Sequence, residues 1–149
     1  MSDNDVLQFV DTNILVYAYD RSKGEKQTRA KALVKEIWNR HNGCLSIQVL
    51  QEFAVNITRK VAQPVDLNLA SQIIQDLSTW RVHIPDVADV LGAIRVQQEY
   101  QLSFWDAMIV RSAVQSGCQV IWSEDLSDGQ MIEGLRITNP FLHREGTRT

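Results

Sequence analysis

Short apolar segments alternate with longer amphipathic segments along this chain. Five of the short segments have the length and composition of buried strands: residues 6–10, 44–47, 81–84, 119–122 and 135–138. Largely apolar runs of this kind are typical of parallel strands that are covered on both faces. The alternation therefore predicts an α/β fold, a three-layer α/β/α sandwich around a central, mainly parallel sheet of five strands.

The segments between these strands have a helical period. The clearest case places apolar residues at i, i+3, i+4, i+7 and i+8, namely Ala30, Leu33, Val34, Ile37 and Trp38. Other helices are predicted over residues 13–19, 48–60, 67–80, 87–100 and 104–116. Two helices thus precede the second, third and fourth strands, so the crossovers between parallel strands are long.

Length and composition indicate one domain, residues 1–142, followed by a polar tail, residues 143–149. The net charge of −3 does not by itself indicate a nucleic-acid-binding protein. The acidic N-terminus and the absence of an apolar run of ~18 residues predict a soluble, cytoplasmic protein. Residues 21–40 carry seven basic and two acidic side chains, which suits either a solvated outer face or a phosphate contact.

Four acidic residues lie where a predicted strand gives way to a helix or loop: Asp11, Glu52, Asp106 and Asp125. The carboxyl ends of parallel strands meet at one edge of the sheet, where ligands bind in open α/β folds. Carboxylates gathered there repel one another unless a cation lies between them, and Mg²⁺ and Mn²⁺ prefer carboxylate oxygen. The pattern predicts a metal-dependent enzyme.

Each acid also has a purely structural interpretation. Asp11 suits the N-cap of a short helix, and Ser103 with Asp106 matches a capping box. Glu52 suits a solvent-facing helical position, and Asp125 suits a turn. A metal ligand and a capping residue are compatible roles for Asp106.

The surroundings of Asp106 favour a ligand. No lysine or arginine lies within four residues of Asp106, and no lysine follows Lys60. An ionised carboxylate among apolar residues is costly without a partner. Trp105, its neighbour, is predicted to pack in the core, with stacking near the site as the alternative.

Several other enzyme classes are excluded. The chain lacks the lysine after the fifth strand that a phosphoacceptor receiver domain needs, and it has Asp11-Thr12-Asn13 where haloacid-dehalogenase phosphatases have Asp-x-Asp. No Gly-x-Ser-x-Gly motif occurs, and the histidines and cysteines have no spacing typical of a nucleophile or a zinc site.

The acids and their flanking residues resemble the PIN-domain nucleases, especially the short VapC-like toxins of prokaryotic toxin–antitoxin pairs. The similarity starts at Phe9-Val-Asp11-Thr-Asn13 and continues at Ser46 with Glu52, at Leu102-Ser-Phe-Trp-Asp106-Ala, and at Ile121-Trp-Ser123-Glu-Asp125-Leu. It covers about residues 6–142.

The resemblance implies hydrolysis of RNA phosphodiester bonds, assisted by one or two Mg²⁺ or Mn²⁺ ions. Asp11, Asp106 and Asp125 would bind metal, with Glu52 completing the cluster or orienting water. Glu124 and Asp128 compete with Asp125 for the fourth role. A non-catalytic RNA- or partner-binding PIN module and a structure-specific DNA nuclease are the alternatives.

The resemblance also implies two protein partners, a cognate antitoxin and a second copy of the chain. The apolar residues of the first helices, around Leu15, Tyr19 and Trp38, suit a homodimer seam, an antitoxin groove, or burial within the monomer.

Overall fold

A computed structural model describes residues 6–142 of the chain. The predicted polar tail, residues 143–149, lies outside them. The described residues form a six-stranded sheet with the strand order β3-β2-β1-β4-β6-β5. The strands are β1 Gln8–Val10, β2 Gly43–Ser46, β3 Arg81–His83, β4 Val120–Trp122, β5 Met131–Ile132 and β6 Leu135–Thr138. All neighbouring pairs are parallel except β5 and β6.

Within residues 6–142, six α-helices flank the sheet, and two of them precede each of β2, β3 and β4, as predicted. They are α1 Thr12–Tyr19, α2 Glu25–Arg40, α3 Ile47–Val55, α4 Leu67–Leu77, α5 Val87–Tyr100 and α6 Phe104–Gln115. A 3₁₀ turn, Arg21–Lys23, lies between α1 and α2, and a π-helical turn, Asn56–Lys60, extends α3. No helix among residues 6–142 is both long and apolar enough to cross a membrane.

The core lies on both sides of the sheet. Phe9 and Val10 are adjacent in β1 and both are fully buried, although adjacent strand residues point to opposite faces. Ile121 in β4 and Ile137 in β6 are also fully buried. The prediction of a mainly parallel sheet covered on both faces is therefore confirmed.

The number of strands was predicted as five and is six. The missed strand, β5, is only two residues long and pairs with β6 as an antiparallel hairpin. Its turn residues Glu133 and Gly134 have φ of 51° and 85°, the left-handed conformation that two-residue hairpin turns require. A two-residue strand is too short to show an alternating pattern, so only the turn marks it in the sequence.

Candidate active site

The four predicted acids lie in one cleft at the carboxyl edge of the sheet. Asp11, Glu52, Asp106 and Asp125 all line this cavity of about 520 Å³. Asp11 directly follows β1, and Asp125 follows β4, its neighbour in the sheet. Glu52 projects from α3, and Asp106 lies in the first turn of α6. The sheet edge thus brings together carboxylates from four distant parts of the sequence.

Asp11 is the most buried of the four, with 6% of its surface exposed. Its Oδ1 accepts the amide of Thr12 over 2.7 Å, which caps α1, and its Oδ2 accepts the Ser123 hydroxyl over 2.8 Å. Burial raises the pKa of Asp11 to about 7, against the lowering effect of these two hydrogen bonds, and the charges of Asp125 and Asp106 raise it further.

Glu52 is held by two side chains. The Thr12 hydroxyl donates to Oε1 over 2.6 Å, and the Gln48 amide donates to Oε2 over 3.1 Å. Nε2 of Gln48 also donates to the main-chain carbonyl of Trp105 over 3.2 Å. Gln48 therefore joins α3 to the first turn of α6, beside Asp106.

Asp106 has half of the predicted capping box. The Ser103 hydroxyl accepts the amide of Asp106 over 3.1 Å, as an N-cap does. Burial raises the pKa of the Asp106 carboxyl, a hydrogen bond with Ser103 lowers it, and the charges of Asp125 and Glu52 raise it. Ser103 thus caps α6, and Asp106 lines the cleft with the other acids.

The three candidates for the fourth acid have different surroundings. Asp125 is exposed and lines the cleft. Glu124 instead pairs with Lys26 and accepts the Tyr17 hydroxyl; burial raises its pKa, but these two partners lower it overall. Asp128 accepts the main-chain amide of Asn139 over 2.7 Å. Of the three, Asp125 alone lines the cleft among the described residues.

The sequence that forms these strands and acids matches a known protein family. The model of the PIN domain matches residues 9–127, most of the chain. The chain belongs to the PIN-domain family. No curated protein matches the chain by sequence.

Solved structures with the fold of this PIN domain come from several prokaryotes. A toxin–antitoxin complex from Klebsiella pneumoniae matches with a TM-score of 0.67 and 21% identity, covering 89% of this chain and 97% of the other. The sarcin-ricin loop cleaving toxin VapC20 of Mycobacterium tuberculosis matches with a TM-score of 0.64 and 20% identity, covering 85% and 97%. A DNA-bound VapBC from Salmonella typhimurium matches with a TM-score of 0.60 and 18% identity, covering 91% and 98%. Because these sequence identities are low, the similarity to the solved structures establishes only the shared fold.

The oxygen atoms that this PIN domain offers in the cleft are of the type that hard divalent cations prefer. They belong to carboxylates, and burial together with like charges raises the pKa of Asp11 and of Asp106. Within residues 6–142, no three acidic, histidine or cysteine side chains stand close enough together to enclose a metal ion. The carboxylates therefore share one cleft without yet forming a closed coordination shell.

The expectation that Trp105 packs in the core was wrong, because 62% of its surface is exposed at the rim of the cleft. A separate polar network forms around His83, whose Nδ1 lies 2.9 Å from the Ser112 hydroxyl and whose Nε2 lies 3.3 Å from Asp89. Asp89 is also bound by Arg111 over 2.9 Å. This buried polar network joins β3, α5 and α6, and no sequence motif marked it.

The basic side chains of residues 21–40 have different surroundings. Lys26 pairs with Glu124, and Arg29 donates to the main-chain carbonyl of Pro140 over 3.3 Å. Lys31 and Lys35 line a different cavity, of about 710 Å³, with residues of α4. In the acid cleft the basic residue is Lys60, at the end of the π-helical turn.

Proposed function

We propose that this PIN domain is a metal-dependent endoribonuclease that hydrolyses RNA phosphodiester bonds with Mg²⁺ or Mn²⁺. The observation that carries the proposal is the set of four carboxylates in one cleft, where burial and the charges of Asp125 and Asp106 raise the pKa of Asp11 to about 7. Clustered carboxylates of this kind suit a divalent cation and an anionic substrate better than an organic cofactor.

The metal ligands in this proposal are Asp11, Asp106, Asp125 and Glu52. A bound divalent ion would lower the pKa of a water molecule bound to it and would shield the charge that develops on the phosphate. Ser123 and the Thr12 amide hold the Asp11 carboxylate in one orientation. Glu52, fixed by Thr12 and Gln48, completes the cluster or orients the attacking water.

Two further side chains suit contacts with the phosphate. The amide group of Asn13 is buried beside the acids, and neither its oxygen nor its nitrogen has a hydrogen-bond partner among residues 6–142. A buried amide without partners is costly, so a ligand that bonds it stabilises the site. Lys60 provides a positive charge in the same cleft.

The test of the proposal is cleavage of a single-stranded RNA by the purified chain. We expect cleavage in Mg²⁺ or Mn²⁺, its loss in EDTA, and its recovery when excess metal is added back. Undiminished cleavage in EDTA contradicts the metal mechanism. Binding of RNA without cleavage under all metal conditions identifies a non-catalytic module, and cleavage of branched DNA in preference to RNA identifies a DNA nuclease.

We further propose that the chain acts in the cytoplasm as a toxin restrained by a cognate antitoxin. Support comes from the structural likeness to proteins of toxin–antitoxin complexes. The groove between α2 and α4 suits an apolar segment with acidic flanks, because Tyr19, Trp38 and Ile73 line it together with Lys31 and Lys35. An arginine from the same partner suits the four carboxylates as a countercharge.

Growth of the native host tests the toxin role. Expression of the active chain alone should arrest growth, and coexpression of the adjacent reading frame should relieve the arrest. Normal growth despite measured nuclease activity contradicts the toxin role and leaves the chemistry intact.

We propose that the homodimer forms through α5 rather than through α1 and α2. Leu15 is fully buried, and Tyr19 and Trp38 pack against the core. On α5, an apolar stripe faces solvent: Val87 is 75% exposed, Leu91 53%, Ile94 40% and Val90 38%. Helical spacing places these side chains on one face, and a contiguous exposed apolar surface often marks an interaction site.

A second copy is the occupant that fits this stripe best. A two-fold axis pairs the same surface with itself, and the stripe carries no charge that such a pairing would bury.

A further inference from the structure

Trp105 stands out among the four tryptophans of the chain. Trp80 is buried, and Trp38 and Trp122 are half-buried, packed against the core. Trp105 is 62% exposed although it directly precedes Asp106. An exposed indole loses the free energy that burial of its ring would give. Its exposure in the acid cleft therefore suits a role in binding.

The main chain and ring of Trp105 are fixed in place. Its carbonyl accepts Nε2 of Gln48 over 3.2 Å, and the same Nε2 donates to Glu52. Its ring makes an edge-to-face contact with Phe104, with the centroids 5.0 Å apart and the ring planes at 78°. Phe104 in turn packs against the core. Trp105 is thus a preorganised aromatic surface, connected through one amide to the acid cluster.

The cleft extends from Trp105 past the acids to a positive charge. Gln48 and Lys60 lie twelve positions apart on the continuous helical segment of α3 and its π-helical turn, so the two ends are separated by roughly 18 Å. Glu52 lies one turn from Gln48. Beyond Lys60 the cleft meets a second cavity, of about 460 Å³, which Lys23, Lys60 and Tyr17 line. Along α3 the lining residues therefore run from Gln48, which holds the main chain of Trp105, through Glu52 to Lys60.

This order matches the chemistry of an unpaired nucleic acid strand. Nucleobases stack on aromatic rings when their faces are free, and phosphates bind lysine. In duplex RNA the base faces are covered by neighbouring base pairs, so a rim tryptophan has nothing to stack on.

We propose that Trp105 is the platform on which an unpaired base next to the scissile phosphate stacks, while Lys60 binds a phosphate at the other end of the cleft. This inference rests on the proposed nuclease function and identifies the residue that positions an unpaired base of the RNA. Trp105 sets where the strand lies, and the carboxylates act on the phosphate beside it.

Binding is measured without cleavage, in an Asp106→Asn background with Mg²⁺, by titration with a fluorescein-labelled single-stranded RNA. Trp105→Ala should weaken binding roughly tenfold to a hundredfold, the range expected for loss of one base stack. Trp105→Phe should retain most of the affinity, and Trp105→Leu should behave like alanine because it is apolar without a ring. Leu67→Ala, at an exposed apolar position on α4 outside the cleft, is the matched control.

A second readout uses the active chain. Trp105→Ala should raise KM for single-stranded RNA with little change in kcat, and the preference for that strand over the same strand in a duplex should fall. Equal losses on both RNAs, or unchanged affinity, overturn the proposal. It is also overturned if Trp105→Ala weakens self-association or antitoxin binding and leaves RNA binding intact, since Trp105 is then a protein contact.

The two proposals fail in different ways. Absence of cleavage with Trp105-dependent RNA binding contradicts the nuclease function alone. Cleavage that Trp105→Ala leaves unchanged contradicts the role of Trp105 alone.

Discussion

The hydroxyl of Thr12 donates to Oε1 of Glu52 over 2.6 Å, and this bond joins the end of β1 to helix α3. Thr12 also presents its main-chain amide to Asp11. One residue therefore orients two of the four carboxylates.

Thr12→Val is predicted to lower the cleavage rate roughly tenfold, in the range found for residues that orient metal ligands. The hydroxyl is lost, while the amide that Asp11 accepts remains. The measurement is kcat/KM at several Mg²⁺ concentrations, because a loosened Glu52 should raise the Mg²⁺ concentration needed for half activity. Thr12→Ser keeps the hydroxyl and should stay near the parental value; a comparable defect in that variant would show that the methyl group matters instead.

Asp106→Asn is predicted to abolish most cleavage while stabilising the metal-free protein. The variant removes one like charge from the cleft but keeps the amide that binds Ser103. A rise of about 2 °C in Tm is expected in EDTA. Scanning calorimetry with and without Mg²⁺ checks this, and Mg²⁺ should stabilise the parent more than the variant. Parental activity in Asp106→Asn would reduce Asp106 to a capping residue.

Substitution of the three candidate fourth acids should separate catalysis from folding. Asp125→Asn is predicted to reduce cleavage most, without loss of stability, because its carboxylate is exposed in the cleft. Glu124→Gln should mainly weaken the contact with Lys26, and Asp128→Asn should retain an acceptor for the Asn139 amide. Rates and urea midpoints of the three variants are compared side by side. The assignment to Asp125 is wrong if Asp128→Asn loses more activity.

The network around Asp89 should make stability depend on pH. Burial raises the pKa of Asp89, but hydrogen bonds from Asp86 and Arg111 and the nearby His83 outweigh it and lower the pKa overall. A carboxyl with a lowered folded pKa stabilises the protein above its unfolded pKa of about 3.8, and the stabilisation is lost as pH falls through the folded value. Asp89→Asn should therefore destabilise the protein at pH 7, with a smaller difference in acid.

Arg111→Met provides the complementary test. It removes the arginine that binds Asp89 and leaves His83 as the neighbouring partner, so it should destabilise the protein at pH 7. Urea unfolding at pH 7 and at acidic pH measures both variants. A constant difference across the pH range would show that packing, not charge, dominates at this position.

The stripe on α5 should control self-association. Leu91→Glu places a charge in the middle of the proposed dimer face and is predicted to give a monomer at micromolar concentration. Leu67→Glu, at a position 77% exposed on α4, should leave the dimer intact. Multi-angle light scattering distinguishes these outcomes, and a monomeric parent chain would contradict the dimer itself.

The fold was predictable because its strands are apolar on both faces and its helices are periodic. Phe9 and Val10 show this in two adjacent residues, and a parallel sheet follows from such runs. The acids of the cleft were also predictable, because residues that follow parallel strands meet at one edge of the sheet. The exposure of Trp105 could not be predicted. Its neighbours Phe104 and Met108 are apolar, and the sequence does not show which way each side chain points.

The network of His83, Asp89 and Arg111 could not be predicted from the sequence either. Its members come from three elements and lie 6 to 28 positions apart, so only the packing of α5 on α6 brings them together. Gly92 shows how tight that packing is: a Cβ there would lie 2.6 Å from Cζ of Arg111.

The position of β1 between β2 and β4 bears on the time at which the chain becomes active during its synthesis. Asp11 is made before Asp125 and the strand that precedes it. A nascent chain that lacks β4 has neither the wall beside Asp11 nor the Ser123 hydroxyl that orients it. Under the proposed function, a translating ribosome therefore holds a harmless precursor until β4 and Asp125 have been made, and a host has until then to supply the protein that restrains it.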